Sequence, residues 1–256
     1  MSKKKVRIIP RLDIKGKNLI KGIQLEGLRV IGSPNDFALK YYKDGADEVI
    51  IIDCVASLYN RDNIKSIIEK AAKNIFVPIT VGGGIRSLED ATSLLSVGAD
   101  KIAVNTAVIK NPDLVTELAS KFGSQCVVMS IEAKKTDENN WEALMNYGRD
   151  HTGFNVLDWI KKGIALGAGE ILLTSVDREG TRKGFDIDLI KSISNKIDIP
   201  VIVSGGMGKL EHLKDTFNLE NIHGIAMADI LHYGRSSVAE IKKFSKKIGY
   251  SVRETI

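Results

Sequence analysis

Eight short apolar runs recur along the chain, each followed by a longer amphipathic stretch. They cover residues 6–12, 48–53, 76–81, 101–105, 127–131, 170–174, 201–204 and 223–227. All are too short for helices and rich in Ile and Val. Most lack strict polar–apolar alternation, the pattern of strands buried on both faces of a parallel sheet. Between them, residues 63–73, 88–97, 113–122, 156–165 and 188–196 carry helical periodicity. Eight strand–helix units in 256 residues predict an α/β protein with a closed (β/α)₈ TIM barrel. An open doubly wound sheet would need a Gly-rich turn after its first strand, and here that position reads Arg11-Leu-Asp-Ile-Lys.

The runs also repeat. Gly45-Ala-Asp-Glu-Val-Ile-Ile-Ile-Asp resembles Gly167-Ala-Gly-Glu-Ile-Leu-Leu-Thr-Ser, and Ile75-Phe-Val-Pro-Ile-Thr-Val-Gly-Gly-Gly-Ile resembles Ile197-Asp-Ile-Pro-Val-Ile-Val-Ser-Gly-Gly-Met. Leu12-Asp-Ile-Lys pairs more loosely with Ile131-Glu-Ala-Lys. A period near half the chain predicts two half-barrels, about 1–123 and 124–256, forming one domain over 1–256. A ligand site would then come twice, on opposite sides of one mouth.

Composition narrows the class. A net charge of +5 suits phosphorylated small molecules as well as nucleic acid, and no basic motif favours the latter. No apolar run reaches membrane-spanning length, and the basic first residues lack the apolar core of a signal peptide. Cys54 and Cys126 stand alone in apolar stretches and read as buried thiols of a cytoplasmic protein. The four His are scattered and no cluster has metal-ligand spacing, so neither a metal nor a redox cofactor is expected.

In such barrels chemistry sits where strands end. Asp13 and Glu132 end equivalent strands, placing two carboxylates across the mouth, where one can donate a proton and the other accept. Gly82-Gly83-Gly84 and Ser204-Gly205-Gly206 follow the third and seventh strands. Glycines there let backbone N–H groups approach an anion, and two matched turns suggest a bis-phosphate ligand. Asn105 and Thr106 would serve the first position, and Gly180 and Thr181 the second, with Thr174 and Glu179 beside it. Ala228-Asp229 ends the eighth strand, with Asp229 read as the cap of a short helix, an awkward neighbour for phosphate. Residues 15–32 read as a long loop, a candidate lid from which an exposed Lys21 could reach a phosphate. At the other end, Arg7, Glu48, Lys101 and Glu170 begin four strands, and charges inside a barrel must pair or be expelled.

These strings carry a family resemblance. Ile8-Ile-Pro-Arg-Leu-Asp-Ile-Lys, Val81-Gly-Gly-Gly-Ile-Arg, Gly98-Ala-Asp-Lys-Ile, Asn111-Pro, Phe122-Gly-Ser-Gln and Val203-Ser-Gly-Gly resemble the cyclase subunit of imidazole glycerol phosphate synthase. The resemblance spans essentially the whole chain. It implies a lyase that takes ammonia from a glutaminase partner docked at the N-terminal face. The ammonia attacks a bis-phosphorylated aminoimidazole-carboxamide ribulosyl nucleotide, giving imidazole glycerol phosphate and aminoimidazole carboxamide ribotide. It also implies that Asp13 and Glu132 are catalytic, Asp13 as general acid and Glu132 as general base. Lys21 becomes the loop lysine; Arg7, Glu48, Lys101 and Glu170 form an ammonia gate; Asp100 and Gln125 meet the glutaminase.

Four departures cluster at the mouth. Glu132 and Glu179 replace family aspartates, Asp229 replaces a serine and Arg11 a cysteine. Arg11 would need a buried partner, with Glu132 and Glu179 the candidates. The departures leave a second reading, a paralogue that channels ammonia to another acceptor such as a surface-polysaccharide sugar. A third, a scaffold that only activates a glutaminase, has no use for the phosphate glycines.

Overall fold

The structure is a computed structural model that describes residues 5–56, 63–217 and 219–254; residues 1–4 of the basic start lie outside them. The chain opens with β1 (Arg7–Lys15), a hairpin of β2 (Asn18–Ile23) and β3 (Glu26–Gly32), and α1 (Pro34–Lys43). There follow β4 (Val49–Asp53), α2 (Asn63–Ala72), β5 (Ile79–Gly82), α3 (Leu88–Ser96), β6 (Lys101–Val104), α4 (Thr106–Lys110) and α5 (Asp113–Phe122). The rest comprises β7 (Val127–Asp137), β8 (Asn140–Leu144), α6 (Val156–Ala165), β9 (Glu170–Ser175), α7 (Ile187–Ser194), β10 (Val201–Ser204), α8 (His212–Phe217), β11 (Ile222–Met227), α9 (Asp229–His232) and α10 (Val238–Lys247). Strands β1, β4, β5, β6, β7, β9, β10 and β11 run parallel in that order, and β11 pairs back onto β1. The sheet closes into the expected (β/α)₈ TIM barrel.

Alternating side chains explain the apolar runs. On β1, the even residues Ile8, Leu12 and Ile14 join the main core under the helices. The odd residue Ile9 points into the lumen with Ile50, Ile52, Ala103, Val128, Leu172, Ile202 and Ala226, a separate apolar cluster. With both faces apolar at mid-height, strands lose the polar alternation of a one-sided sheet. The outer layer is tight: a Cβ on Gly163 of α6 would lie 1.7 Å from the Met129 sulfur on β7. That helix is started by Asn155, whose side chain accepts from the amides of Leu157 and Asp158.

Two segments depart from the sequence reading. Residues 15–32 are largely the β2–β3 hairpin rather than a loop, and β2 pairs antiparallel with β1. The fifth run extends from 127–131 to Asp137 because β7 outgrows the barrel and pairs antiparallel with β8. Cys54 and Cys126 are buried and unbridged. No helix among the described residues is long and apolar enough to cross a membrane.

The N-terminal end of the lumen is closed by charge. Arg7 Nη1 donates to Glu48 Oε2 at 2.5 Å and Nη2 donates to Glu170. Lys101 Nζ reaches Glu48 at 3.1 Å and Glu170 at 2.8 Å. Each cation touches both anions, so the four form a closed ring. Glu48 is 1% exposed, and its other oxygen accepts from the Thr80 hydroxyl at 2.6 Å. Glu48→Ala strands Arg7 and Lys101 with one anion and leaves Thr80 without its acceptor. It is expected to lower unfolding free energy by about 3 kcal/mol, read from urea denaturation.

Candidate active site

Arg11, next inward on β1 after Ile9, carries its guanidinium into the upper lumen. It donates from Nε to Asp13 Oδ1 at 2.9 Å and from Nη1 to Thr174 Oγ1 at 2.7 Å. Strands β1 and β9 are not neighbours; β10 and β11 lie between them on the shorter way round. The Arg11 side chain therefore crosses the lumen, and at 1% exposure it needs its partners. The buried partner is Asp13, not Glu132 or Glu179 as the sequence suggested; those two act on it through space.

Asp13 and Glu132 are both buried at the mouth, in contrasting surroundings. Asp13 accepts from Arg11 on one oxygen and from the Tyr147 hydroxyl on the other, at 2.8 Å. Burial pushes its carboxyl upward, but Arg11 and Lys21 with these hydrogen bonds outweigh it and hold Asp13 below the usual range. Glu132 receives the Gly148 amide at 2.7 Å and the Asn105 side-chain amide at 3.0 Å, both on Oε2. Burial pushes it up to about 7, against the pull of Arg11 and the Gly148 amide.

Tyr147 escaped the sequence reading. It lies in the turn after β8, where Asn146 and Tyr147 both take positive φ, at 53° and 58°. Non-glycine residues adopt that backbone only when their surroundings enforce it. The conformation brings the Tyr147 hydroxyl to Asp13 and the next amide, Gly148, to Glu132. Asn-Tyr-Gly is a legible turn signal, but not its destination.

The hairpin is docked. Lys21 is 4% exposed rather than solvated and pairs with buried Glu179. The Gln24 amide donates to the Glu179 carbonyl at 2.8 Å, and a Cβ on Gly180 would lie 2.3 Å from the Gly22 carbonyl oxygen. Burial lowers the Lys21 pKa, but Glu179 and Asp13 reverse this and raise it.

The two glycine turns share a backbone but differ in lining. Gly83 and Gly84 have φ of 95° and 74°, Gly205 and Gly206 of 100° and 98°. The residues ahead of α4 and α9, Asn105 and Ala228, also match, at φ −138°, ψ −88° and φ −130°, ψ −70°. The first cradle holds about 130 Å³ and is lined by Gly83, Gly84, Asn105, Thr106, Arg86 and Lys110, with Glu132 and Tyr147 at its inner wall. Thr106 accepts the Asn146 amide, and the Asn105 amide is spent on Glu132 and the Leu144 carbonyl, not left for a ligand. The second holds about 10 Å³ and is lined by Gly180, Gly205, Gly206 and Ala228, with the carboxylates of Glu179 and Asp229. Ser204 is buried at the end of β10 and Gly82 at the end of β5. Asp229 is the first residue of α9 and makes no side-chain cap; it faces Arg235 at 3.3 Å and Arg182 at 3.6 Å. No group of three His, Cys, Asp or Glu among the described residues could hold a metal ion.

The raised Glu132 leaves a thermodynamic trace. Above its ordinary 4.5 and up to about 7, the folded chain keeps a proton that the unfolded chain has released. Its contribution is therefore full below pH 4.5 and lost as pH rises through 7, at a slope of at most about 1.4 kcal/mol per pH unit. Urea denaturation between pH 5 and 8 is expected to show this slope in wild type and not in Glu132→Gln.

Comparisons with known proteins identify a family. The family model described as "Histidine biosynthesis protein" matches residues 7–237. Imidazole glycerol phosphate synthase subunit HisF of Legionella pneumophila is 62% identical over 206 residues, 80% of this chain and 97% of that protein. The proteins of the same name from Streptococcus mutans and Streptococcus sanguinis are 44% and 43% identical over 249 residues, 97% of this chain and 99% of each of theirs. On a match that runs through barrel, mouth and charged ring alike, this chain belongs to the histidine biosynthesis protein family.

Proposed function

We infer that this chain is the cyclase subunit, a lyase, of an imidazole glycerol phosphate synthase. In this reading ammonia and a bis-phosphorylated aminoimidazole-carboxamide ribulosyl nucleotide yield imidazole glycerol phosphate and aminoimidazole carboxamide ribotide. The observation that carries the reading is the pair of buried carboxylates, pushed apart in acidity, beside a cation-lined cradle. The relatives' shared name favours the histidine-pathway acceptor over a surface-polysaccharide sugar.

The electrostatics support the opposite assignment of roles from the one the resemblance implies. Asp13 receives two donors and is held ionised, so it is the general base. Glu132 keeps a proton near neutrality and is the general acid, with Oε2 accepting from the Gly148 and Asn105 amides. Pairs of carboxyls whose surroundings divide their pKa values are how a site runs acid and base steps together. Condensation of ammonia with the ribulosyl carbonyl needs both: Asp13 carries the first proton from the added nitrogen to the oxygen, giving a carbinolamine. Glu132 then protonates that hydroxyl, which leaves as water while the nitrogen gives its next proton to Asp13, and return of that proton to Glu132 resets the pair. One substrate phosphate occupies the Gly83–Gly84 cradle, facing Arg86 and Lys110, which places the reacting carbons beside Glu132.

Ammonia would enter at the opposite end. A hollow of about 820 Å³ surrounds the charged ring, with Arg7, Lys101, Gln125 and Glu170 in its lining. Asp100 and Gln125 are exposed on that face, which supports a glutaminase subunit docking there. The closed ring of Arg7, Glu48, Lys101 and Glu170 then acts as a gate that must open one ion pair to pass ammonia into the apolar lumen. A biosynthetic subunit of this kind fits a cytoplasmic setting.

The test is direct: purified protein, ammonium salt and the bis-phosphate nucleotide, followed by loss of substrate absorbance. Turnover is expected, with kcat/KM at constant free ammonia falling above about pH 7 as Glu132 loses its proton. Glu132→Gln and Asp13→Asn should each lower kcat by about 10²–10⁴-fold. Folded protein without turnover would remove this reading, and turnover with a sugar acceptor instead would favour the second one.

A further inference from the structure

The second cradle cannot hold a phosphate as it stands. Its volume of about 10 Å³ is what a single water needs, about 10–15 Å³, and a phosphate is several times larger. Its two charged linings are carboxylates, Glu179 and Asp229, whose cations Lys21, Arg182 and Arg235 lie in the neighbouring groove, so the cradle itself offers an anion no charged donor. The first cradle, with matching glycine backbone, has room and two cations. A substrate phosphorylated at both ends must place its second phosphate elsewhere.

A cationic groove lies immediately outside. It holds about 540 Å³ between the β2–β3 hairpin and α9, and Arg29, Arg182 and Arg235 line it with Lys21, against the carboxylates of Glu26 and Asp229. Arg182 and Arg235 both reach Asp229 Oδ1 through Nε, at 3.6 and 3.3 Å. Contact through Nε leaves the terminal nitrogens of each guanidinium for a ligand, and one carboxylate cannot neutralise two arginines. Arg182 is held at φ 62°, a backbone that a long side chain adopts only when its surroundings enforce it. Gly208 permits this: a Cβ there would lie 2.4 Å from that of Arg182. Arg235 in turn lies over the Tyr233 ring, 5.7 Å from its centroid.

We propose that the second phosphate of the substrate is bound by Arg182 and Arg235 in this groove, and that Asp229 sets the choice by closing the glycine cradle and aligning the two guanidinium groups. The proposal rests on the bis-phosphate reading of the substrate. Planar guanidinium groups side by side suit a phosphate's oxygens, and their partial exposure suits a group entering from solvent. The first phosphate is fixed in the cradle beside Glu132. The second, further out than matched cradles would place it, draws the substrate under the docked hairpin.

Two measurements test this together. Crystals of wild type and of Asp229→Ser would be soaked in tungstate, an oxyanion of unmistakable density. Wild type is expected to show it in the Gly83–Gly84 cradle and between Arg182 and Arg235, and not at Gly205–Gly206. Asp229→Ser is expected to admit it there. In parallel, the Arg182→Ala, Arg235→Ala double variant is expected to raise KM for the nucleotide about 10–100-fold with kcat within about twofold. Tungstate in the second cradle of wild type, or an empty groove beside an occupied first cradle, overturns the proposal and leaves the cyclase reading standing. Groove density with unchanged KM also overturns it, as an adventitious ion only. Tungstate at none of the three positions removes the phosphate reading of the whole mouth, and this proposal with it.

Discussion

A guanidinium inside a β-barrel has few neighbours it can accept, and Arg11 accepts two: a carboxylate on its own strand and a hydroxyl across the lumen. Much of the mouth follows from that placement. Asp13 stays ionised because Arg11 and Lys21 outweigh its burial. Glu132, equally buried but served by two uncharged donors, keeps its proton towards neutrality. Tyr147 is drawn into a left-handed turn to complete the shell around Asp13. The buried cation thus favours one of two similar carboxyls, and burial of the other sets the pair apart in acidity. Burying the charges costs desolvation, which the salt bridge and hydrogen bonds offset.

The same barrel repeats one design under different constraints. At the N-terminal end the four charges satisfy one another in a ring and leave the lumen above them apolar. At the C-terminal end two glycine turns keep one backbone geometry while their side chains diverge, Arg86 and Lys110 around one, Glu179 and Asp229 around the other. Glycine backbone sets how close an anion could come; the side chains decide whether an anion is welcome. One barrel mouth can therefore carry two unlike cradles.

The barrel was legible in the sequence because its signal is local. Runs with apolar residues on both faces, and helices such as 113–122 and 156–165, need no knowledge of distant partners. The positions of Asp13, Glu132 and the ring charges were legible because each stands where an apolar run ends or begins. Other features depend on contacts far apart in the chain. Lys21 reads as a solvated loop lysine until its hairpin docks on the sixth loop and meets Glu179, 158 residues on. The partner of Arg11 could not be chosen among three nearby carboxylates from spacing alone. Nor does spacing fix the relative acidity of the two carboxyls, since burial and the donors of each decide that balance.

The division of labour between the two carboxyls is the claim on which the rest of the account stands, and ¹³C NMR of labelled Asp and Glu side chains measures it directly. With Asp13→Asn and Glu132→Gln to assign the signals, the account predicts that Glu132 titrates near pH 7 and that Asp13 stays ionised below the ordinary aspartate range. Replacing Arg11 with Met should move Asp13 upward. Two ordinary titrations near pH 4, or an Asp13 indifferent to Arg11, would contradict it.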